Sequence, residues 1–141
     1  MGYVLAHRRI INELKLIQNN YSFHILYDSF KLNYNINNYN IRIIYSNEYP
    51  FRQPIIYINN INLIDIYKYI MENNISYINN CLYCNSNLKN WNSAITLINF
   101  NKELNETIRL IQFNTEKLLL KKIIDKFSNE SMDYLYKYLI N

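Results

Sequence analysis

Apolar residues recur at Ile10, Leu14 and Ile17, a spacing of i, i+4, i+7 that places them on one face of a helix. The pattern predicts a helix over 3–18, with His7, Arg8, Glu13 and Lys15 mostly off the apolar stripe and Asn19-Asn20 ending it. The period then shortens. Phe23, Ile25 and Tyr27 alternate with His24, Leu26 and Asp28, which predicts a strand with His24 at its surface. A second run covers 30–36, and Asn37-Asn38 suits a two-residue hairpin turn because Asn tolerates positive φ. A third run covers 39–45, broken by Ser46-Asn47-Glu48. Residues 49–54 are rigid and non-helical, since each Pro fixes its own φ and restrains its predecessor, and 55–58 forms a fourth short strand.

The second half is less regular. Residues 63–71 predict a short helix with Asp65 near its start, 73–80 a loop, and 81–92 an irregular polar segment. Helical spacing returns over 95–113, with Leu97, Leu104, Ile108 and Ile111 as core candidates. Asn114-Thr115 is placed to cap a further helix to Phe127, and Ser131 to start a last one. The expectation is one α+β domain over 1–141: a helix, a four-stranded antiparallel meander, an irregular segment and C-terminal helices.

Composition changes this picture little. The chain has 141 residues, of which 26 are Asn, 24 Ile and 15 Tyr, a bias toward A- and T-rich codons that points to an AT-rich genome, such as that of a large virus or a reduced eukaryote. One Gly and two Pro exclude collagen-like and Gly-rich classes, and a single Gly also excludes a phosphate-binding P-loop. A net charge of +4 is too small to argue for nucleic acid, and the tyrosines are scattered with no RNA-binding motif around them. No apolar run approaches the ~20 residues of a membrane span. The N-terminus lacks the apolar block of a secretory signal, and Ala6 stands where a myristoylation motif has Ser or Thr. Two cysteines make no disulfide framework, so a reducing compartment is expected: the cytoplasm, with the nucleus also open.

The cysteines are the candidate chemistry. Cys81-x-x-Cys84 has the spacing of a redox pair or half a zinc site, but only His7 and His24 remain as further imidazole ligands, and no βαβ pattern flanks the pair. Taken alone, Cys81 is a small buried hydrophobe or a nucleophile. Asp28, Glu48 and Asp65 form no acid/base pair and are expected as solvated charges.

The order of elements and three strings together resemble the ubiquitin-conjugating enzyme (UBC) family. Arg8-Arg9-Ile10-Ile11-Asn12-Glu13-Leu14 is similar to that family's first helix. Tyr49-Pro50-Phe51-Arg52-Gln53-Pro54 is similar to its Tyr-Pro-Phe-x-Pro-Pro turn, with Gln53 for the first closing proline. Cys81-Leu82, followed by Trp91-Asn92-Ser93-Ala94-Ile95-Thr96, is similar to its catalytic Cys-Leu and downstream Trp-x-Pro-Ala-x-Thr, with Ser93 for Pro. Both prolines and the only tryptophan of the chain fall inside these strings.

The resemblance implies a carrier that accepts ubiquitin, or a ubiquitin-like protein, on Cys81 as a thioester and passes it to lysine, with no cofactor or metal. Cys84 is the competing acceptor. The family's His-Pro-Asn falls on Met71-Glu72-Asn73, so Asn73 is the implied oxyanion-stabilising residue, with Asn74, Asn79 and Asn80 as rivals. Arg8 and Arg9, with Lys15, match the helix that meets an activating enzyme. Phe51, Ser93 and Ala94 match a shallow apolar patch for RING-type ligases. Phe51 as a core anchor is the other expectation, and Ser93 in place of Pro leaves its loop less restrained. The absence of His and Pro before Asn73 keeps open a second role, that of a catalytically inactive UBC-like adaptor binding ubiquitin or partner enzymes.

Overall fold

A computed structural model describes residues 2–20, 25–72 and 83–127. The predicted loop 73–80, the start of the first strand, His24 and the last helix lie outside the described residues. The elements are α1 (Gly2–Asn20), β1 (Leu26–Asp28), β2 (Lys31–Ile36), β3 (Tyr39–Ile44), β4 (Ile55–Ile58), β5 (Ile61–Asn62), α2 (Leu63–Glu72) and α3 (Leu97–Phe127). The chain is thus α+β, with an N-terminal helix, an antiparallel sheet and a helix toward its C-terminal end.

The strands pair in chain order, β1-β2-β3-β4-β5, all antiparallel. The meander therefore has five strands where the sequence pattern gives four. The additional strand turns back at Asn59-Asn60, both at positive φ (48° and 66°), so that Ile58 pairs with Ile61. Asn37 likewise takes positive φ (50°) at the β2–β3 turn. Register decides which residues are buried. Leu32, Ile43 and Ile56 lie in one row across three strands, and Tyr34, Ile41 and Ile58 in the next; all six are buried. Their neighbours Asn33, Arg42 and Tyr57 share a row on the opposite face.

Helix α1 buries Ala6, Ile10, Leu14 and Ile17, the predicted stripe, and runs through Asn19-Asn20 rather than stopping before them. It also buries Glu13, which the pattern places mostly off the apolar stripe. Helix α3 buries Leu97, Phe100, Leu104 and Ile108; Ile111 is only half-buried. Tyr34 on the buried face of the sheet donates a hydrogen bond to Asn101 of α3 (3.2 Å).

Helix α3 is continuous to Phe127, a correction to the two helices expected here. Thr115 does not cap a new helix. Its hydroxyl bonds back to the carbonyl of Ile111 (2.8 Å), an arrangement that keeps it within the existing one. The chain divides into two compact units, Met1–Ile108 and Arg109–Asn141, so the division falls inside α3. All residues of the site below belong to the first.

Candidate functional site

The Pro-containing turn is built on a buried tyrosine. The Tyr49-Pro50 peptide is cis, and the Tyr49 ring is buried edge-on to Tyr45 with centroids 4.6 Å apart. The amides of Phe51 and Arg52 both donate to the Glu48 carbonyl (2.8 and 3.2 Å), which closes the turn. Phe51 itself is 80 % exposed, so the turn presents it outward and it is no core anchor.

The loop carrying the tryptophan is tied to this turn. Trp91 Nε1 donates to the carbonyl of Pro50 (2.9 Å), and its ring stacks on Phe100 of α3 at 5.6 Å and 16°. The following residues, where the resemblance leads one to expect a proline at 93, are held by hydrogen bonds. The Ala94 amide donates to Asn92 Oδ1 (2.9 Å) and the Ile95 amide to the Asn92 carbonyl (3.1 Å). Arg9 Nη2 reaches the carbonyls of Ser93 (2.7 Å) and Ile95 (3.2 Å). Hydrogen bonds thus supply the restraint that a fixed φ would have given. Ser93 and Ala94 are exposed.

Glu13 is where these pieces meet, and the sequence reading missed it. Its Oε2 accepts from Tyr49 Oη (2.6 Å) and Arg9 Nε (2.9 Å), and its Oε1 from the amide of Leu97 (2.6 Å). The last contact satisfies one of the orphan N–H groups at the start of α3 from a residue 84 positions away. The carboxylate is 4 % exposed, and its charge is compensated by Arg9, whose guanidinium also lies 5.9 Å from the centre of the Tyr49 ring. Arg9 is therefore engaged with Glu13, Ser93 and Ile95, with its side chain 30 % exposed. Arg8 and Lys15 are exposed and remain available.

A second carboxylate organises the segment 83–90. Glu103 Oε1 accepts from the Asn87 amide (2.8 Å) and Asn87 Nδ2 (2.9 Å). Glu103 Oε2 accepts from Ser86 Oγ (2.8 Å) and from the Tyr67 hydroxyl of α2. Tyr67 also bonds Thr107 (3.2 Å), and Ser86 Oγ accepts from the Leu88 amide (3.1 Å). Burial raises the Tyr49 and Tyr67 phenols well above the ordinary tyrosine range, and the neighbouring Glu13 and Glu103 carboxylates raise them further. Burial alone raises Tyr34, and it is the main cause for Tyr45. Between the turn and this segment lies an open cleft of about 430 Å³, lined by Ile44, Pro54, Ile55, Tyr57, Ile64 and Leu88.

Of the residues picked from the sequence, Arg9, Phe51, Ser93 and Ala94 belong to these two adjoining loops and the helix that grips them. Cys81 and Asn73 lie outside the described residues. Cys84 is exposed and disulfide-bonded. Met71 and Glu72, expected at the positions of the resembled family's His-Pro, are the last two residues of α2. Asp28, Glu48 and Asp65 are exposed, as expected. Among the described residues no cluster of three His, Cys, Asp or Glu side chains could hold a metal ion, and no helix is long and apolar enough to cross a membrane. No protein-family model, no curated protein and no solved structure matches this chain.

Proposed function

We propose that the chain is a divergent UBC-like carrier that takes ubiquitin or a ubiquitin-like protein on Cys81 and delivers it to lysine. The observation that carries this reading is the hydrogen bond from Trp91 to the Pro50 carbonyl, together with the grip of Arg9 on Ser93 and Ile95. Residues 9, 50 and 91–95, from three strings far apart in sequence that resemble one family, meet at one place. Exposed Phe51, Ser93 and Ala94 there form the surface offered to a RING-type ligase, and Arg8 and Lys15 that offered to an activating enzyme.

The chemistry is two acyl transfers. The Cys81 thiolate attacks the thioester on the activating enzyme; a new C–S bond forms at Cys81 and the enzyme's thiolate leaves. A lysine amine then attacks the new thioester, forming an isopeptide bond and releasing the Cys81 thiolate, with the amine proton passing to solvent. Asn73 is assigned to the oxyanion. No cofactor is required, and the compartment of such chemistry is the cytoplasm or nucleus, that of the host if the source is viral. Because Cys84 is disulfide-bonded in this structure, the reading applies to the reduced protein.

One observation favours a second reading. Helix α2 runs through Met71 and Glu72, so no His-Pro turn precedes Asn73, as suits an inactive adaptor that binds ubiquitin or partner enzymes. Reduced, desalted protein incubated with activating enzyme, ATP and ubiquitin separates the two. A thiol-sensitive band one ubiquitin heavier supports the carrier, and Cys81→Ser converts it to a thiol-resistant ester while Cys84→Ser leaves it unchanged. No band, with ubiquitin binding retained, establishes the adaptor. Transfer at the parental rate by Asn73→Ala removes Asn73 from the mechanism.

A further inference from the structure

Strand β5 accompanies β4 only briefly: Ile61 pairs with Ile58 and Asn62 with Tyr57. There the chain leaves the sheet. Asn62 Oδ1 accepts from the amide of Ile64 (3.0 Å) and caps α2, which begins at Leu63. Ile55 and Ile56, at the start of β4, pair with Ile44 and Ile43 of β3 on one side. On the other side, among the described residues, they meet no strand. The cleft of about 430 Å³ lies at this place, bounded by Ile55 and Ile56, by Asn62 and Ile64 at the β5–α2 corner, and by Leu88.

We propose that this cleft accepts an extended acidic and apolar segment of a partner protein, which continues the line of β5 beside Ile55 and Ile56 and adds a strand to the sheet. The proposal goes beyond the carrier reading and does not depend on it.

The edge selects an extended main chain, because a strand cut short by a helix leaves its neighbour open to another strand. The wall selects an apolar side chain. Ile44 and Ile55 form a cross-strand pair on the face whose adjoining row holds Asn33, Arg42 and Tyr57, and Ile64 and Leu88 extend the apolar surface. Ile55 is exposed there. The rim selects an acid. Arg52 is the only charged side chain among the described residues lining the cleft, and it is exposed. Its Nε lies 3.4 Å from the equally exposed Glu48, a pair worth little in water, and among the described residues nothing is hydrogen-bonded to its two Nη nitrogens. A guanidinium so placed has a fork to offer a carboxylate. A second copy of this chain, at net charge +4, is a poorer electrostatic match than an acidic partner.

The test uses the full chain. Peptides are selected on it from a phage-displayed library of random dodecapeptides, and the most enriched one is synthesised. Titration followed by NMR should shift the methyls of Ile55, Ile64 and Leu88 and leave those of Ile10 and Ile17 in α1 unmoved. N-methylation of alternate amides of the peptide should weaken binding by about tenfold or more, since it removes the hydrogen bonds of an added strand. Ile55→Lys should weaken it by about tenfold. Arg52→Glu should weaken it by about fivefold, and a peptide with Lys for its acidic residue should recover that loss on Arg52→Glu. Thermal midpoints confirm that the variants fold; should Ile55→Lys not fold, Ile55→Thr takes its place under the same criteria. No enriched peptide, binding that leaves the three methyls unmoved, equal binding by the N-methylated peptide, or equal affinity for Arg52→Glu overturns the proposal. Shifts of the same methyls with protein concentration alone put a second copy in the cleft, and contacts to them from residues 128–141 put the chain's own end there; either result overturns it as well.

Discussion

Glu13 and Glu103 both join three stretches of chain through one carboxylate, by different means. Glu13 is almost wholly enclosed and shares its charge with Arg9. Glu103 is half-buried and is met by hydroxyl and amide donors. The first arrangement fixes the core end of α3 and the two loops that present Phe51 and Ala94. The second fixes a loop and the neighbouring short helix. A buried charge that loses its partners leaves uncompensated groups sealed from water; at Glu103 the buried Tyr67 and Ser86 hydroxyls have other partners in Thr107 and the Leu88 amide, and half-buried Asn87 recovers hydration. The Glu13 node is thus the one on which folding depends, and the Glu103 node the one that adjusts a local geometry.

Alkali tests both nodes together and has the largest expected effect. Tyr49 and Tyr67 are raised above their unfolded values, as are Tyr34 and Tyr45. Their contribution is fully present below pH ~10 and is lost as pH rises toward the folded values, because only the unfolded chain releases those protons. At pH 11 each phenol still protonated in the fold costs about 1.4 kcal/mol relative to neutral pH. Urea midpoints from pH 8 to 11 should fall steeply above 10, and absorbance near 295 nm should show a group of tyrosines that ionise only on unfolding.

Glu13→Ala comes next, at about 3–5 kcal/mol by urea denaturation, because it strands Arg9, Tyr49 and the Leu97 amide. Glu103→Ala should cost about 2 kcal/mol, with Asn87 turning to water and the buried Tyr67 and Ser86 hydroxyls keeping only Thr107 and the Leu88 amide. Equal losses in the two variants would erase the distinction drawn above. Tyr49→Phe removes one donor to Glu13 and should cost about 1 kcal/mol while leaving Arg9 in place. Phe51→Ala should alter stability by no more than about 0.5 kcal/mol, since the ring is exposed, yet weaken capture of a RING-type ligase in a pull-down or titration. A large stability loss there would mean that the turn depends on the ring it displays.

Much of the fold was legible because it obeys short periods. The α1 stripe and the β2 and β3 runs fall where the pattern puts them. The fifth strand had a signal of its own: Asn59-Asn60 is the same kind of doublet as the turn Asn37-Asn38, and both place Asn at positive φ. The false break at Asn114-Thr115 has a different cause. A threonine hydroxyl caps a helix or bonds back into one, and sequence does not say which.

The site was half legible. Rare residues, the two prolines and the tryptophan, located its loops. Glu13 and Glu103 were invisible because their partners lie up to 84 positions away, and a glutamate beside an apolar stripe looks like any solvated one. The dual duty of Arg9 was hidden for the same reason.

The Arg9 guanidinium holds main-chain oxygens, not side chains, in the stretch after Trp91. Every amino acid carries that oxygen. The loop's shape is thereby uncoupled from the identity of the residue at position 93, and natural variation is free to rewrite the chemistry displayed there without redrawing the backbone beneath it.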